Sequence, residues 1–492
     1  MRKTILFSVA AAIALAAPAS AVTYVNQIAI SGSAIDFGLL GSGPNFNRLG
    51  GFGSDLVYDA ATNQFFGLTD RGPGGGLIDY APRIQSFGLN FDYNTGAISN
   101  FTLNATTILR NGSGNAFSGL NPFLLNNDPA TLGLSLDPEG LARMSNGHYL
   151  VSDEYGPSII EFDANGNQVR AFTTPANLIP KKADGSVDYV AGRPTTTSGR
   201  QDNRGFEGLT ISPDGKKAYA ILQDPLVNEG DQGDGRRSRN VRIVVFDIAT
   251  GTSTEQYIYQ LESIATVNAV VPGNTFSATN QGRSIGVSAI YALSDGRFVV
   301  LERDNRGEGV DDPNSLVPTG LKSAFVIDLN GATNVASISL AGSSALPNGV
   351  TPVSKTPFLD IRAKLLAAGI VIPEKIEGLA FGPRLANGSL ALILATDNDY
   401  SVTQTGSGQQ FDVCTSGVGG VTSQVALGTP CPSGQSLVSS RLFSFLLTNE
   451  EAVALGFSSV PEPSSWAMMI GGFGLVGGAM RKRRRRTQHS YF

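Results

Sequence analysis

A short β-hairpin pattern recurs five times along the chain, and this repetition limits the folds that the chain can adopt. In each copy a short apolar strand leads into a turn rich in Gly, Asn or Asp, and a second strand then runs into acidic residues. Asn-Gly and Asp-Gly turns between β-rich runs, such as Asn146-Gly147 in the second copy, are strong hairpin signals. The five copies lie at 52–72, 137–156, 206–224, 287–307 and 376–399.

A third β-rich segment follows most copies, as in SIIEFDANG at 158–166 and VRIVVFDIATG at 241–251. Recurring units of three or four antiparallel strands are typical of β-propeller blades. We therefore predict an all-β fold, a β-propeller of six blades within a range of five to seven. An N-terminal strand at 24–31 is expected to close the ring with C-terminal strands, and 360–368 to form a short helix. The alternative is a β-sandwich or two unrelated β domains, but neither predicts acidic residues in the same position of every copy.

Both ends of the chain carry targeting patterns. Residues 1–21 combine two basic residues, an apolar run and Ala19-Ser20-Ala21, which predicts a secretory signal peptide. At the other end, Pro461-Glu462-Pro463 precedes an apolar stretch at 466–480 and a basic cluster at 481–486. The predicted domains are therefore a signal peptide at 1–21, a propeller at 22–458 and an anchor segment at 459–492.

The C-terminal arrangement resembles the PEP-CTERM sorting signal. The resemblance implies a short transmembrane sorting helix, held transiently in the inner membrane and processed by an exosortase-type enzyme. It implies export through the inner membrane of a Gram-negative bacterium to the cell surface, the outer envelope or an extracellular matrix, with exopolysaccharide as a further partner. The Gly472-x-Gly474-x-x-Gly477 pattern in this segment follows no strand, so we interpret it as helix packing and not as a dinucleotide motif.

The predicted hairpins bring acidic residues to one end of the ring. The residue before the Gly-Leu of the first strand is Glu139, Glu207 or Glu377 in three copies, and serine in the equivalent position of the other two. The loop after each second strand is also acidic. Because an antiparallel pair brings its outer ends together, both sets should converge at one mouth of the central channel. The loop residues are Asp70-Arg71, Asp153-Glu154, Gln223-Asp224, Glu302-Arg303-Asp304 and Asp397-Asn398-Asp399.

Such a ring of carboxylates requires protons, arginines or a metal ion to offset its charge. Oxygen ligands favour Ca²⁺, and the chain has a net charge of -5 and strongly basic ends, so its body is acidic and suits a cation better than nucleic acid. The alternative is that these carboxylates brace turns and neighbouring strands by hydrogen bonds. The candidate metal ligands are Glu139, Asp153, Glu207, Glu302, Asp304, Glu377 and Asp397.

Other chemistries are disfavoured. The body contains one histidine, His148, at the far end of its hairpin, which argues against zinc. Gly282-Arg283-Ser284-Ile285-Gly286 matches a G-x-S-x-G pattern but lacks the strand-turn-helix context and a later histidine in the body. Cys414 and Cys431 are expected to form a disulfide in an oxidising compartment.

LTDRG, the E-G-L of PEGLA, FEGLT and IEGLA, VSDEYG and LERDNRG together resemble the phytase-like domain described as "esterase-like activity of phytase". The resemblance implies a propeller and phosphoester or carboxyl-ester hydrolysis. We expect a Ca²⁺-assisted hydrolase of an anionic small-molecule ester, in which Glu154 accepts a proton, Glu207 is essential, and Arg71 and Arg303 hold the substrate. The competing interpretation is a non-enzymatic matrix or surface propeller that binds glycan or protein, with a structural acidic ring.

Overall fold

The computed structural model describes residues 22–40, 46–293, 296–406 and 408–458, and nearly all of its regular structure is antiparallel β-sheet. The strand β1 (Thr23–Ile30) comes first. The first sheet contains β2 (Asp55–Asp59), β3 (Gln64–Leu68), β4 (Arg83–Phe91) and β5 (Ile98–Ile108). The second contains β6 (Pro138–Arg143), β7 (Tyr149–Asp153), β8 (Ser158–Phe162) and β9 (Gln168–Ala171).

After a small pair, β10 (Lys181–Lys182) and β11 (Thr196–Ser198), three more large sheets follow. The third has β12 (Phe206–Ile211), β13 (Lys217–Leu222), β14 (Asn240–Asp247) and β15 (Thr252–Gln260). The fourth has β16 (Ile285–Ala292), β17 (Arg297–Asp304), β18 (Lys322–Asp328) and β19 (Ser354–Asp360). The fifth starts with β20 (Lys375–Arg384) and β21 (Leu390–Asp397). A small sheet then holds β22 (Val402–Gln404), β23 (Gln410–Thr415), β24 (Thr422–Ala426) and β25 (Ser436–Leu437), before β26 (Ser440–Leu447).

The five large sheets form a ring. The innermost strands β2, β6, β12, β16 and β20 each contact the next, and β20 contacts β2. Within the part of the chain that the structure describes, the propeller-like ring thus has five blades, which lies within the predicted range of five to seven, while the preferred number of six is wrong. The reason is that the N-terminal strand builds no blade of its own. Instead β1 pairs antiparallel with β26 as the outer strand of the fifth sheet, so the predicted closure of the ring by this strand is confirmed.

The E-G-L glycines are explained by the spacing of the inner strands. A Cβ atom on Gly140 would lie 2.6 Å from the backbone nitrogen of Leu209 in the next blade, and one on Gly208 would lie 2.8 Å from that of Ile290. Distances this short are not tolerated by real side chains, so the glycines allow neighbouring blades to pack against each other. Apolar side chains fill the rest of the interfaces between blades; Tyr219 and Phe298, for example, make an edge-to-face contact at 4.6 Å.

Among the residues that the structure describes, five short α-helices interrupt the sheets. The helix predicted at 360–368 is present at Ile361–Ala367, and the Asp360 side chain caps its first turn. The others were not predicted, because their few residues carry no apolar period. The helices are α1 (Pro122–Asn126), α2 (Ile264–Val270), α3 (Gln281–Ser284), α4 (Ile361–Ala367) and α5 (Asn449–Ala454).

No helix in the described ranges is long and apolar enough to cross a membrane. The predicted signal peptide at 1–21 and the predicted sorting helix within 459–492 lie outside the described residues. The predicted disulfide between Cys414 and Cys431 is confirmed; it closes the small sheet of β22 to β25.

Candidate functional site

A β-bulge at the start of four of the five inner strands, all except β2, determines which residues face the channel mouth. In β12 the pairing with β13 skips Glu207, and in β20 the pairing with β21 skips Glu377. The same irregularity skips Ser288 in β16 and Glu139 with Gly140 in β6. Bulges turn a side chain away from the regular alternation of a strand. The recurring acidic position is therefore a recurring bulge, and its side chains gather at one end of the ring.

Three carboxylates cluster where the first and second blades meet. Asp70, Asp137 and Glu139 each place one oxygen within 4.8 Å of the other two. Burial, and then the nearby charge of Glu207, raises the pKa of Glu139 well above its ordinary value. Burial likewise raises the pKa of Asp137 to about 7, although Arg71 opposes this shift.

Arg71 forms one edge of this cluster. Its guanidinium donates from Nη1 to Asp137 Oδ2 at 3.0 Å and also to Asn203 Oδ1, while its backbone N–H donates to Asp137 Oδ1 at 3.2 Å. Its buried Nε has no hydrogen-bond partner among the described residues. Arg71 is thus bound within the fold through Nη1, whereas its Nε at the mouth is bound to no described residue.

Glu154 lies close to several carboxylates of the acidic mouth. Its side chain is only 2% exposed, and no hydrogen bond or ion pair to its carboxylate is present in the described residues. Its charge contributes to raising the pKa values of Asp137, Glu139 and Glu207, after the larger effect of burial. A buried residue whose carboxylate has no partner is costly, so its position points to a ligand at this place.

A second carboxylate cluster shares Asp70 and already contains a cation. Asp70, Asp397 and Asp399 also place oxygens within 4.8 Å of one another. The Lys375 ammonium donates to Asp397 Oδ2 at 2.9 Å and to Asp399 Oδ1 at 2.5 Å. Burial alone would lower the pKa of Lys375, but Asp397 and Asp399 raise it well above its ordinary value. Lysine here occupies the place that a metal ion would take.

A turn of left-handed backbone holds Asp399 in this cluster. Asp399, Tyr400 and Ser401 have φ of 47°, 54° and 57°, a conformation that costs roughly 1–2 kcal/mol per L-residue. The side-chain oxygen of Asn398 accepts from the Tyr400 N–H, and Arg48 donates to the Tyr400 carbonyl at 2.9 Å. Strained backbone of this kind clusters at functional sites.

The third to fifth blades contribute a separate group around Arg303. Arg303 donates from Nη2 to Glu377 Oε1 at 2.6 Å and from Nε to Ser288 Oγ at 3.0 Å, and its Nη1 takes part in neither contact. Glu207 accepts from Gln223 Nε2 through Oε1, but its buried Oε2 has no partner among the described residues. Burial and the charges of Glu154 and Glu377 raise the pKa of Glu207 well above its ordinary value.

Three of the candidate ligands are engaged elsewhere. The Asp153 carboxylate accepts from the backbone N–H groups of Asp137, Tyr155 and Gly156, and therefore braces a turn. Glu302 points away from the mouth and accepts from Tyr259, Lys355 and the Glu262 backbone.

Asp304, the third, pairs with the fully buried Lys322 at 2.8 Å and accepts from the backbone N–H groups of Gly320 and Leu321. These carboxylates have too few free oxygens to bind a metal, so we leave all three out of the set proposed below. Asp153, Glu302 and Asp304 fit the alternative that these carboxylates brace turns and neighbouring strands by hydrogen bonds.

Glu377 and Asp397 are left out of the set as well, because cationic side chains bind them. Arg303 donates to Glu377, and Lys375 donates to Asp397. Glu207 is kept for contact with the substrate, since its Oε2 has no partner among the described residues.

Sequence reasoning did not assign roles to Asp137 and Lys375. Each lies two positions before the glutamate of an E-G-L motif, in DPEGL and KIEGL. This spacing from the E-G-L glutamates is the sequence signal that could have identified Asp137 and Lys375. His148 pairs with Glu161 at 2.8 Å and has no part in the acidic mouth. Ser284 ends helix α3 immediately before β16, the reverse of the order that a nucleophile elbow requires.

The donor chemistry of the first cluster fits a hard divalent cation. Asp70, Asp137 and Glu139 offer only oxygens, and the Glu139 carboxylate makes no hydrogen bond to the described residues. Their raised pKa values show that the cluster disfavours negative charge when no further cation is added. An ion bound to six or more oxygens, as Ca²⁺ is, would use such carboxylates together with water or substrate oxygens.

The ring and its acidic mouth define an all-β protein with a charged site at one end of its axis. Residues 47–400, more than half of the chain, match the family model of the phytase-like domain, "esterase-like activity of phytase". The chain belongs to this phytase-like family. Residues 459–485 match the PEP-CTERM protein-sorting motif, which implies processing by an exosortase-type enzyme.

A curated relative comes from Arthroderma benhamiae. It is an "uncharacterized secreted protein", 28% identical over 442 residues, which cover 73% of this chain and 84% of the relative. A calcium-binding regucalcin from Agrobacterium tumefaciens aligns at 12% identity and a TM-score of 0.26, over 69% of this chain and 80% of its own. A luciferin-regenerating enzyme aligns at 12% identity and a TM-score of 0.29, over 84% and 95%. Scores this low carry no argument about this chain.

Proposed function

We propose that this chain is an exported hydrolase that cleaves a phosphoester or carboxyl ester at the acidic mouth of its ring. The observation that carries the proposal is the cluster of Asp70, Asp137 and Glu139, with the unpartnered Glu154 and the partly free Arg71 beside it. The family membership and the PEP-CTERM motif support a hydrolase-like, surface-associated protein. The secreted relative supports export. We propose the division into 1–21, 22–458 and 459–492 from the sequence patterns alone.

Asp70, Asp137 and Glu139 would hold the metal ion, which we propose to be Ca²⁺ because all donors are oxygens. When bound, the ion supplies polarisation of an ester oxygen and a lower pKa for water. Glu154 is placed to accept a proton from the attacking water, since no hydrogen bond within the described residues engages its carboxylate.

The two arginines would orient an anionic ester across the mouth. Arg71 stands beside the carboxylate cluster and Arg303 stands across the ring, next to Glu207 and Glu377. Although burial alone would lower its pKa, Glu377 and Glu207 raise the pKa of Arg303, so it stays a cation at any working pH. Guanidinium groups match the geometry of phosphate and carboxylate oxygens. The charge of Glu207 would stabilise the cationic form of Arg303, and the free Oε2 of Glu207 would contact the substrate.

The test is hydrolysis of a panel of phosphomonoesters and p-nitrophenyl esters by the full chain and by Glu154→Gln and Glu207→Gln. We expect Glu154→Gln to lower kcat by about 100- to 10,000-fold, the usual contribution of a general base. Glu207→Gln should also abolish most activity with the fold intact. Glu255→Gln, at a carboxylate on an outer strand, is the matched control and should leave kcat unchanged.

Wild-type rates in both glutamine variants would contradict the assignment of residues. Absence of turnover on every ester, combined with a loss of thermal stability on chelation, would favour the other interpretation. In that case the acidic ring is structural, and the protein is a binding module of the cell surface or matrix.

A further inference from the structure

The last described residues lie at the opposite end of the ring from the acidic mouth. After β26, helix α5 caps the far side of the fourth blade, where Arg297 donates to the Ala454 carbonyl at 3.1 Å. Leu455 to Ser458 then line a cavity of about 440 Å³ together with the far ends of the inner strands of the first four blades, such as Tyr58, Arg143, Ile211 and Leu293. The chain therefore leaves the ring at the far mouth of the channel.

The packing of Phe457 holds the chain at the place where it leaves the ring. Its ring lies 5.1 Å from that of Phe381 and 6.4 Å from that of Tyr291, which belong to the inner strands of the fifth and fourth blades. Leu455 and Ala452 are buried against the same apolar cluster. The segment up to Ser458 is thus part of the packed domain, and a tether to the following residues starts at the far mouth.

The tether is too short to reach around the ring. The sorting motif begins at 459, and the apolar stretch begins at Trp466, eight positions after Ser458. Eight extended residues span at most about 29 Å. A path from the far mouth over the outer edge to the acidic mouth must first cross the four strands of a blade. It must then follow the length of an eight-residue strand such as β16, so that the whole path is roughly 40 Å long.

We propose that the far mouth of the ring faces the lipid bilayer while the chain is anchored, so that the acidic mouth points away from the membrane. This inference rests on the proposed membrane role of 466–480 and not on the proposed chemistry of the site. In this orientation the anchored protein would take its substrate from the outer medium and not from the lipid surface.

The experiment measures energy transfer to a headgroup-labelled lipid from a dye on one of two introduced cysteines. Lys216→Cys lies in the far-side turn of the third blade, and Leu316→Cys lies in a loop on the side of the acidic mouth. The native side chains are similarly exposed, at 79% and 70%, so labelling should disturb neither. The full chain is reconstituted in vesicles, and the same variants in detergent without labelled lipid serve as the reference.

We expect clearly higher transfer efficiency from position 216 than from position 316. Inserting a Gly/Ser linker of about 40 residues after Ser458, with an r.m.s. reach of about 35 Å, should reduce this difference. Equal efficiencies in the native chain, or higher efficiency from 316, would overturn the orientation. Failure of the full chain to remain with vesicles would overturn it as well, while hydrolysis by the same preparation would leave the proposed function intact.

Discussion

At the scale of single residues, burial sets the behaviour of the acidic mouth. Asp224 illustrates this, because its carboxylate is buried and Arg204 Nε lies 3.1 Å away without the alignment of a hydrogen bond. Burial raises the pKa of Asp224 to about 6, although Arg204 and Arg283 oppose the shift. The folded protein therefore holds a proton on Asp224 more tightly than the unfolded chain does.

The sign of the resulting pH dependence follows from this difference. An acid whose pKa is raised by folding stabilises the fold at low pH, and this stabilisation is lost as pH rises through the folded pKa. We expect the free energy of unfolding of wild type, relative to Asp224→Asn, to fall by up to about 3 kcal/mol between about pH 4 and pH 7. Denaturant unfolding of both proteins at several pH values measures this difference in the free energy of unfolding.

Asp214→Asn is the control for this measurement. Asp214 lies in an exposed turn, where hydrogen bonds from Ser212 and Lys216 lower the pKa of its carboxyl group. Its stabilisation is lost only as pH falls through that lowered pKa, so its difference from wild type should stay flat above about pH 4. A flat difference for Asp224→Asn as well would show that burial does not control the charge of this group.

At the scale of elements, the disulfide is one of several links that hold the small sheet of β22 to β25. Asn314 Nδ2 donates to the Gly420 carbonyl at 2.6 Å, and the buried Arg48 pairs with Asp412 of β23 at 2.6 Å. Cys414 and Cys431 are separated by 17 positions, and closing a loop of this length stabilises by about 3 kcal/mol.

Replacing both cysteines by serine should therefore loosen this sheet and leave the blades intact. We expect amide hydrogen exchange in β23 and β24 to accelerate by about 100-fold, the equivalent of that free energy. Amides of the central strand β21 are the internal control and should keep their rates. Unchanged exchange in β23 would mean that contacts other than the disulfide hold the sheet.

Elements also show how far sequence reasoning reaches. The Asn-Gly turn at Asn146 and the alternating strands around it are local signals, so the five hairpins could be predicted. The bulges could not, because a skipped residue such as Glu207 depends on how β12 pairs with β13 and packs on the next blade. The helix Asn449–Ala454 was missed although Thr448 and Glu451 form a capping box, because it is only six residues long.

At the scale of the whole molecule, ring closure and the site both depend on contacts between distant residues. A sequence pattern counts hairpins, but it does not show that β1 completes the fifth blade. It also does not separate Glu139 at the mouth from Glu302, which points toward Lys355 and Tyr259. Glu139 lies near the start of the first strand of its hairpin and Glu302 lies near the end of the second strand of its own, so the hairpin pattern places both at the same end of the ring. Their contacts in the folded protein distinguish them.

In the proposed function, the carboxylates at the mouth bind a divalent cation that hydrolysis requires. The most direct measurement is the initial rate of ester hydrolysis by EDTA-treated full chain as Ca²⁺ is added back, for wild type and Glu139→Gln in parallel. We expect Ca²⁺ to restore the wild-type rate, and Glu139→Gln to need more than about 100-fold more Ca²⁺, since even outer-shell changes cost 10- to 100-fold in metal affinity. A rate independent of Ca²⁺, or the same Ca²⁺ dependence in both proteins, would contradict it.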